Sequence, residues 1–119
     1  MLNNKITLYV PSTMQGRIDL DEQRKQVEKS LRRLATWFGG ATAVEGQGAW
    51  VMQDGTLVVE PVVLVYCYTT AEALAEHLHR VEALAWEIGY SMSQECVSLE
   101  VNGELRFVDS QRKAEAAAA

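Results

Sequence analysis

Between Lys5 and Val10 the apolar residues Ile6, Leu8 and Val10 alternate with Lys5, Thr7 and Tyr9. A period of two predicts a strand with one buried face. Pro11 to Ile18 reads as a loop. Asp19 then stands where a helix N-cap belongs, with Glu22 three residues on to close a capping box. Leu20, Val27, Leu31, Leu34 and Phe38 follow at helical spacing before Gly39 and Gly40, which predicts a helix over 20–38.

The next segment is rich in glycine. Asp54-Gly55 lies between Trp50-Val51-Met52 and Leu57-Val58-Val59, a hairpin signal, because the tight turn needs positive φ. Gly46 and Gly48 are expected at strand bulges, and Pro61 at a bulge or the start of a fresh strand. Val62 to Tyr68 is β-branched or aromatic at most positions and reads as a central strand. Thr69 or Thr70 caps a second helix, with Glu72 placed to close a box from Thr69. Its stripe is Leu74, Leu78, Val81, Ala85 and Ile88, flanked by His77 and Leu84, and Gly89 is the expected stop. Val97, Leu99 and Val101 alternate with Cys96, Ser98 and Glu100, and Asn102-Gly103 turns the chain into a short strand over 104–108. One domain over 1–109 is expected, with 110–119 a frayed or disordered polar and alanine tail.

The order β-α-β-β-α-β plus a hairpin strand is the split βαβ pattern of an α+β, ferredoxin-like domain. Right-handed crossovers put both helices on one face of an antiparallel sheet and leave the other face open. With Val63, Val65 and Cys67 turned to the helices, Val62, Leu64, Tyr66 and Tyr68 join Thr7, Tyr9, Cys96 and Ser98 on the open side. A patch of that kind calls for a partner, and a second copy is the simplest. The expected interface of a homodimer is Tyr9, Leu64, Tyr66 and Tyr68, with Trp50 at the rim. The competing reading folds the last strand or the tail over this face.

Composition narrows the classes without naming an activity. The chain has 119 residues, 48% hydrophobic and 23% charged, which fits one globular domain and excludes collagen-like, disordered and disulfide-scaffold chains. The net charge is −5, with a basic front and an acidic body. An acidic body repels phosphates, and Glu60 and Glu100 bring that charge to the aromatic sheet face, so direct nucleic-acid binding is not expected. Glu72, Glu76 and Glu87 on the second helix, with Glu100 on a strand, could instead face a basic protein partner. In size, charge and lack of a catalytic motif the chain resembles small acidic inhibitors of nucleic-acid-binding proteins encoded by phages and plasmids. The competing reading lets the two helices neutralise each other, with Asp21–Lys25 and Glu28–Arg32 as i,i+4 pairs on the first.

Catalytic chemistry finds little purchase. His77 and His79 point about 200° apart on a helix and cannot share a metal. Gly46-x-Gly48 lacks the ending of a phosphate loop, and no nucleophile has a base beside it. The expectation is therefore a non-catalytic binding module without metal or cofactor. A small-molecule binder or enzyme with its pocket between packed sheets of a dimer is the other alternative. Cys67 and Cys96 read as reduced core thiols. The start MLNNKITLYV does not resemble a secretory signal and no apolar run is long enough to span a membrane, so the expected location is cytoplasmic.

Gly48-Ala49-Trp50, Asp54-Gly55 with Leu57, Glu60-Pro61 and Gln94-Glu95-Cys96-Val97 resemble the pattern of a small bacterial family without an assigned activity. The likeness covers residues 38 to 101 and departs at Cys96, where that family more often has Ser. It implies the same fold and no particular reaction.

Overall fold

The computed structural model describes residues 1–110. Seven strands and two helices follow one another as β1 (Asn4–Val10), β2 (Thr13–Met14), β3 (Arg17–Ile18), α1 (Leu20–Phe38), β4 (Thr42–Val51), β5 (Leu57–Thr69), α2 (Ala71–Ser91), β6 (Cys96–Val101) and β7 (Glu104–Asp109). β4, β5, β1, β6 and β7 form one antiparallel sheet in that spatial order, with β1 in the middle. This is the expected ferredoxin-like α+β arrangement, lengthened by β7 at one edge. The segment 11–18, read as a loop, holds a minimal β2–β3 hairpin. Residues 111–119, most of the expected tail, lie outside the described residues. No described helix is long and apolar enough to cross a membrane.

Register explains the core. Ile6 pairs with Cys67 and Val101, and Leu8 with Val65 and Leu99, so one face of three adjacent strands is aliphatic but for the Cys67 thiol. Those side chains pack with Leu34 of α1 and with Val81, Leu84, Ala85 and Ile88 of α2. Burying each aliphatic side chain contributes about 1.5–3 kcal/mol. α1 departs from its expected stripe, because Leu20 is exposed while Gln23, Gln26 and Ser30 are buried with Leu34. Gln23 earns its place by donating from Nε2 to the Val10 carbonyl at 3.2 Å, and Ser30 Oγ donates to the Gln26 carbonyl.

Helix ends follow local chemistry. The Asp19 carboxylate accepts the Glu22 N–H, and Gly39 closes α1 at φ 94°, a left-handed conformation that favours glycine. Thr70, with no acid three residues on, caps α2 by accepting the Ala73 N–H, so no box forms from Thr69. Gly89 does not stop α2, which runs on to Ser91. A Cβ at Gly89 would lie 2.9 Å from Ser110 Cβ and 3.1 Å from Val97 Cγ2, so this glycine lets the end of β7 press against the helix. Ser110, assigned to the tail by sequence, is buried there, and its carbonyl accepts from Trp86 Nε1.

Two further expectations are corrected. β5 runs unbroken through Pro61, which pairs with Gln47 in a regular register, so neither Pro61 nor Gly46 and Gly48 mark bulges. β1 stops opposite Val63, so β5 has no neighbour on that side at Pro61 and the missing N–H costs no ladder bond there. On α1 the described ion pairs are Arg24–Asp21 and Lys25–Glu22 at i,i+3 rather than the expected i,i+4 pairs, and all are largely surface contacts of small worth.

Replacing Gly89 by Val tests the close approach of β7 to α2. Unfolding in urea should show a loss of about 1–3 kcal/mol, the usual cost of overpacking. Unchanged or higher stability would contradict it.

Candidate functional site

The open face is built by the same registers that build the core. Lys5, Thr7 and Tyr9 lie opposite Tyr68, Tyr66 and Leu64, and these lie level with Val44 and Thr42 on β4 and with Ser98 and Glu100 on β6. No ring is sealed in the interior: Tyr68 is 49% exposed, and Tyr9, Leu64 and Tyr66 are half-buried. β7 does not fold over this face. It widens it, adding Leu105 opposite Glu100 and Phe107 opposite Ser98, the latter 67% exposed. Periodicity alone gave no reason to count these two, because the side each presents depends on the register of β7 against β6.

Tyr66 and Tyr68 meet edge to face with centroids 6.1 Å apart, and the Lys5 ammonium lies 4.7 Å from the first ring and 5.6 Å from the second. Alternate positions on one strand and a cross-strand lysine thus make a raised, positively charged aromatic ridge at one end of the face. The Thr7 hydroxyl is buried beside it with no partner among the described residues.

At the other end the face is hollow. Gly46 and Gly48 stand opposite Val62 and Glu60, and no side chain rises from β4 between Val44 and Trp50 on this side. Tyr9, Pro11, Glu60, Val62, Leu64, Gln94, Cys96 and Ser98 complete the walls of an open pocket of about 530 Å³. Glu60 is the single carboxylate among them. Gln94 fixes one wall by donating from Nε2 to the Thr13 carbonyl and hydroxyl, which ties the α2–β6 connection to the β2–β3 hairpin. From the sequence Glu60 was one of several surface acids and not a pocket residue, because its pocket depends on side chains missing from the neighbouring strand. Past this hollow the β4–β5 hairpin projects beyond the helices, with Trp50, Val51, Met52 and Leu57 exposed.

The four acids proposed as one surface are divided. Glu72 and Glu76 are exposed on α2, but Glu87 turns toward α1 and meets Lys29 Nζ and Arg33 Nη1, each at 3.2 Å. Helix-to-helix neutralisation therefore accounts for Glu87. Glu100 lies across the sheet on the open face. His77 is enclosed by Trp37, stacked at 6.3 Å, and Phe38, edge-on at 5.5 Å, and its Nδ1 is 2.6 Å from Arg80 Nη1. Among the described residues no group of three or more His, Cys, Asp and Glu is placed to hold a metal. The cysteines differ: Cys67 is in the core, where burial pushes its thiol up to about 11, whereas Cys96 is exposed at the start of β6 and so is not the expected core thiol.

No protein-family model and no curated protein matches the sequence. Among solved structures, a phage SAM lyase in complex with S-methyl-5'-thioadenosine matches with a TM-score of 0.62 and 17% identity over 91% of this chain and 90% of that one. A phage SAM lyase in the apo state matches with a TM-score of 0.58, again at 17% identity, over 89% and 88% of the two chains. CutA from Synechococcus elongatus gives 0.47 at 13% identity over 97% and 87%. At these identities the shared feature is the fold.

The raised Cys67 pKa has a direct chemical consequence. Iodoacetamide at neutral pH should leave Cys67 unmodified in the native chain and label it only after denaturation, as read by peptide mass spectrometry. Labelling of native Cys67 at the rate of a small free thiol would contradict its burial.

Proposed function

We propose that this chain is a self-associating binding domain whose open sheet face is the contact between copies, and that the Glu60 pocket on that face takes a small organic cation with a flat ring. The observation that carries this reading is the coincidence, on one face, of an exposed aromatic and aliphatic patch with a pocket holding one carboxylate. Apolar area of this extent is covered in most soluble proteins, and a second copy covers it symmetrically. Tyr9, Leu64, Tyr66, Tyr68 and Trp50 are the anchors. The protein would then bind without catalysing.

The ligand class is drawn from chemistry and fold together. A carboxylate among tyrosine and aliphatic walls favours an onium group carried on an apolar body. The two phage lyases that share this fold act on S-adenosylmethionine in name, and one holds S-methyl-5'-thioadenosine, which supports a sulfonium or thioether nucleoside as the occupant. A second reading, a small phage-type inhibitor of a basic protein, has the phage source of those two structures behind it, together with Glu60 and Glu100 on the open face.

Light scattering should give a mass above that of the 13.2 kDa chain, falling to the monomer for Tyr66→Glu. Calorimetry should show S-adenosylmethionine bound by the wild type and weakened at least about tenfold by Glu60→Gln, with the uncharged S-methyl-5'-thioadenosine little affected, since only the sulfonium loses a counter-charge. A monomeric wild type, or no binding of either compound to the assembled protein, would overturn the corresponding half of the reading. Release of S-methyl-5'-thioadenosine from S-adenosylmethionine would replace binding by turnover. Salt-sensitive capture of a basic protein with no nucleoside binding would favour the inhibitor.

A further inference from the structure

The helices leave a second hollow on their own side of the sheet. β4 is an edge strand, and its helix-facing residues Ala43 and Glu45, which pair with Val65 and Val63, are exposed. Between them and the first half of α1 runs a groove of about 290 Å³. Leu20, Gln23, Arg24 and Val27 form its helix wall, Ala43 and Glu45 its strand wall, and Val63 its floor. A further hollow of about 420 Å³ continues it along β4 to Gln47 and Pro61. The Glu60 pocket opens on the other face of the sheet.

The polar groups of the groove are uncommitted. Gln23 is only 6% exposed, a rare setting for glutamine. Its Nε2 donates to the Val10 carbonyl at 3.2 Å, which fixes the amide, while Oε1 has no hydrogen-bond partner among the described residues. That oxygen is not sealed in the interior, where the unpartnered polar atoms belong to Thr7, Ser12, Gln26 and Ser110, and the groove is where Gln23 meets the surface. Glu45 makes no salt bridge among the described residues. Arg24 on the facing wall meets Asp21 at 3.7 Å, an exposed pair of little worth. Opposite charges thus line one groove without meeting each other, which leaves room for a ligand between them.

This set of groups describes its occupant. A guanidinium on one wall suits a carboxylate, a carboxylate and an amide oxygen suit an ammonium, and Leu20, Val27, Ala43 and Val63 suit an apolar chain. We propose that the α1–β4 groove binds a free α-amino acid with an aliphatic side chain, its carboxylate on Arg24 and its ammonium shared by Glu45 and Gln23 Oε1. A plain acid would leave Glu45 unanswered and a plain amine would leave Arg24 so. The site is separate from the Glu60 pocket and rests on neither self-association nor cation binding there.

Titration of the isotope-labelled chain with L-leucine, followed by NMR up to ~10 mM, resolves a Kd of ~1 mM. The amides of Val27, Ala43, Glu45 and Val63 should shift and saturate. L-leucinamide, which lacks the carboxylate, and isocaproate, which lacks the ammonium, should each bind about three- to fivefold more weakly, the scale of partly exposed charge pairs. In Arg24→Met, leucine and leucinamide should bind alike; in Glu45→Gln, leucine and isocaproate should. Both substituted residues are exposed, and an otherwise unchanged amide spectrum reports that each variant keeps its fold. No saturable shift in the wild type would overturn the proposal, as would leucinamide or isocaproate binding as tightly as leucine, or a preference for leucine that survives both substitutions.

Discussion

One constraint governs this molecule: its sheet has two faces and its helices cover one. Strand alternation forces the choice. Each residue that β1 gives to the core, from Ile6 to Val10, obliges its neighbour to face the other way. The pairing of β5, β6 and β7 carries that division across the sheet, so Tyr66, Tyr68, Leu105 and Phe107 are as strictly placed as Leu8 and Val65. Charge on the open side would suit water, yet much of what stands there is aromatic or aliphatic.

The features that suggest function follow from that geometry. The ridge exists because Tyr66 and Tyr68 are two apart on a strand, with Lys5 across from the second. The hollow exists because β4 omits two side chains on the same face. A lone carboxylate gains meaning only from that setting. On the outside of α2 it is a solvated charge, as at Glu72; against the basic first helix it is half of an ion pair, as at Glu87; in the hollow of the open face, as at Glu60, it is the one carboxylate lining a pocket.

What was legible in the sequence was local and periodic. The bounds of α1 follow from the Asp19 cap and Gly39, and the inward and outward sets of β1, β5 and β6 follow from period two. Tyr9, Leu64, Tyr66 and Tyr68 could therefore be assigned to the open face, and Trp50 shares that side on the β4–β5 hairpin. What was not legible depended on contacts between distant segments. Gly89 looks like a helix stop until Ser110 is placed beside it, and Pro61 looks like a break until β1 is seen to end opposite Val63. The hollow around Glu60 could not be read from either strand alone, because one supplies the acid and the other the missing side chains. The buried Gln23 runs against residue preference and makes sense only through the Val10 carbonyl.

Hydroxyl-radical footprinting tests the covering of the open face most directly. Phe107 on that face and Tyr90 on α2 are nearly equally exposed in the single chain, at 67% and 65%. If a second copy covers the sheet, Phe107 and Tyr68 are protected relative to Tyr90 in concentrated protein, and the protection fades on dilution while Tyr90 stays constant. Oxidation of all three in proportion to their single-chain exposure, at every concentration, would contradict the account.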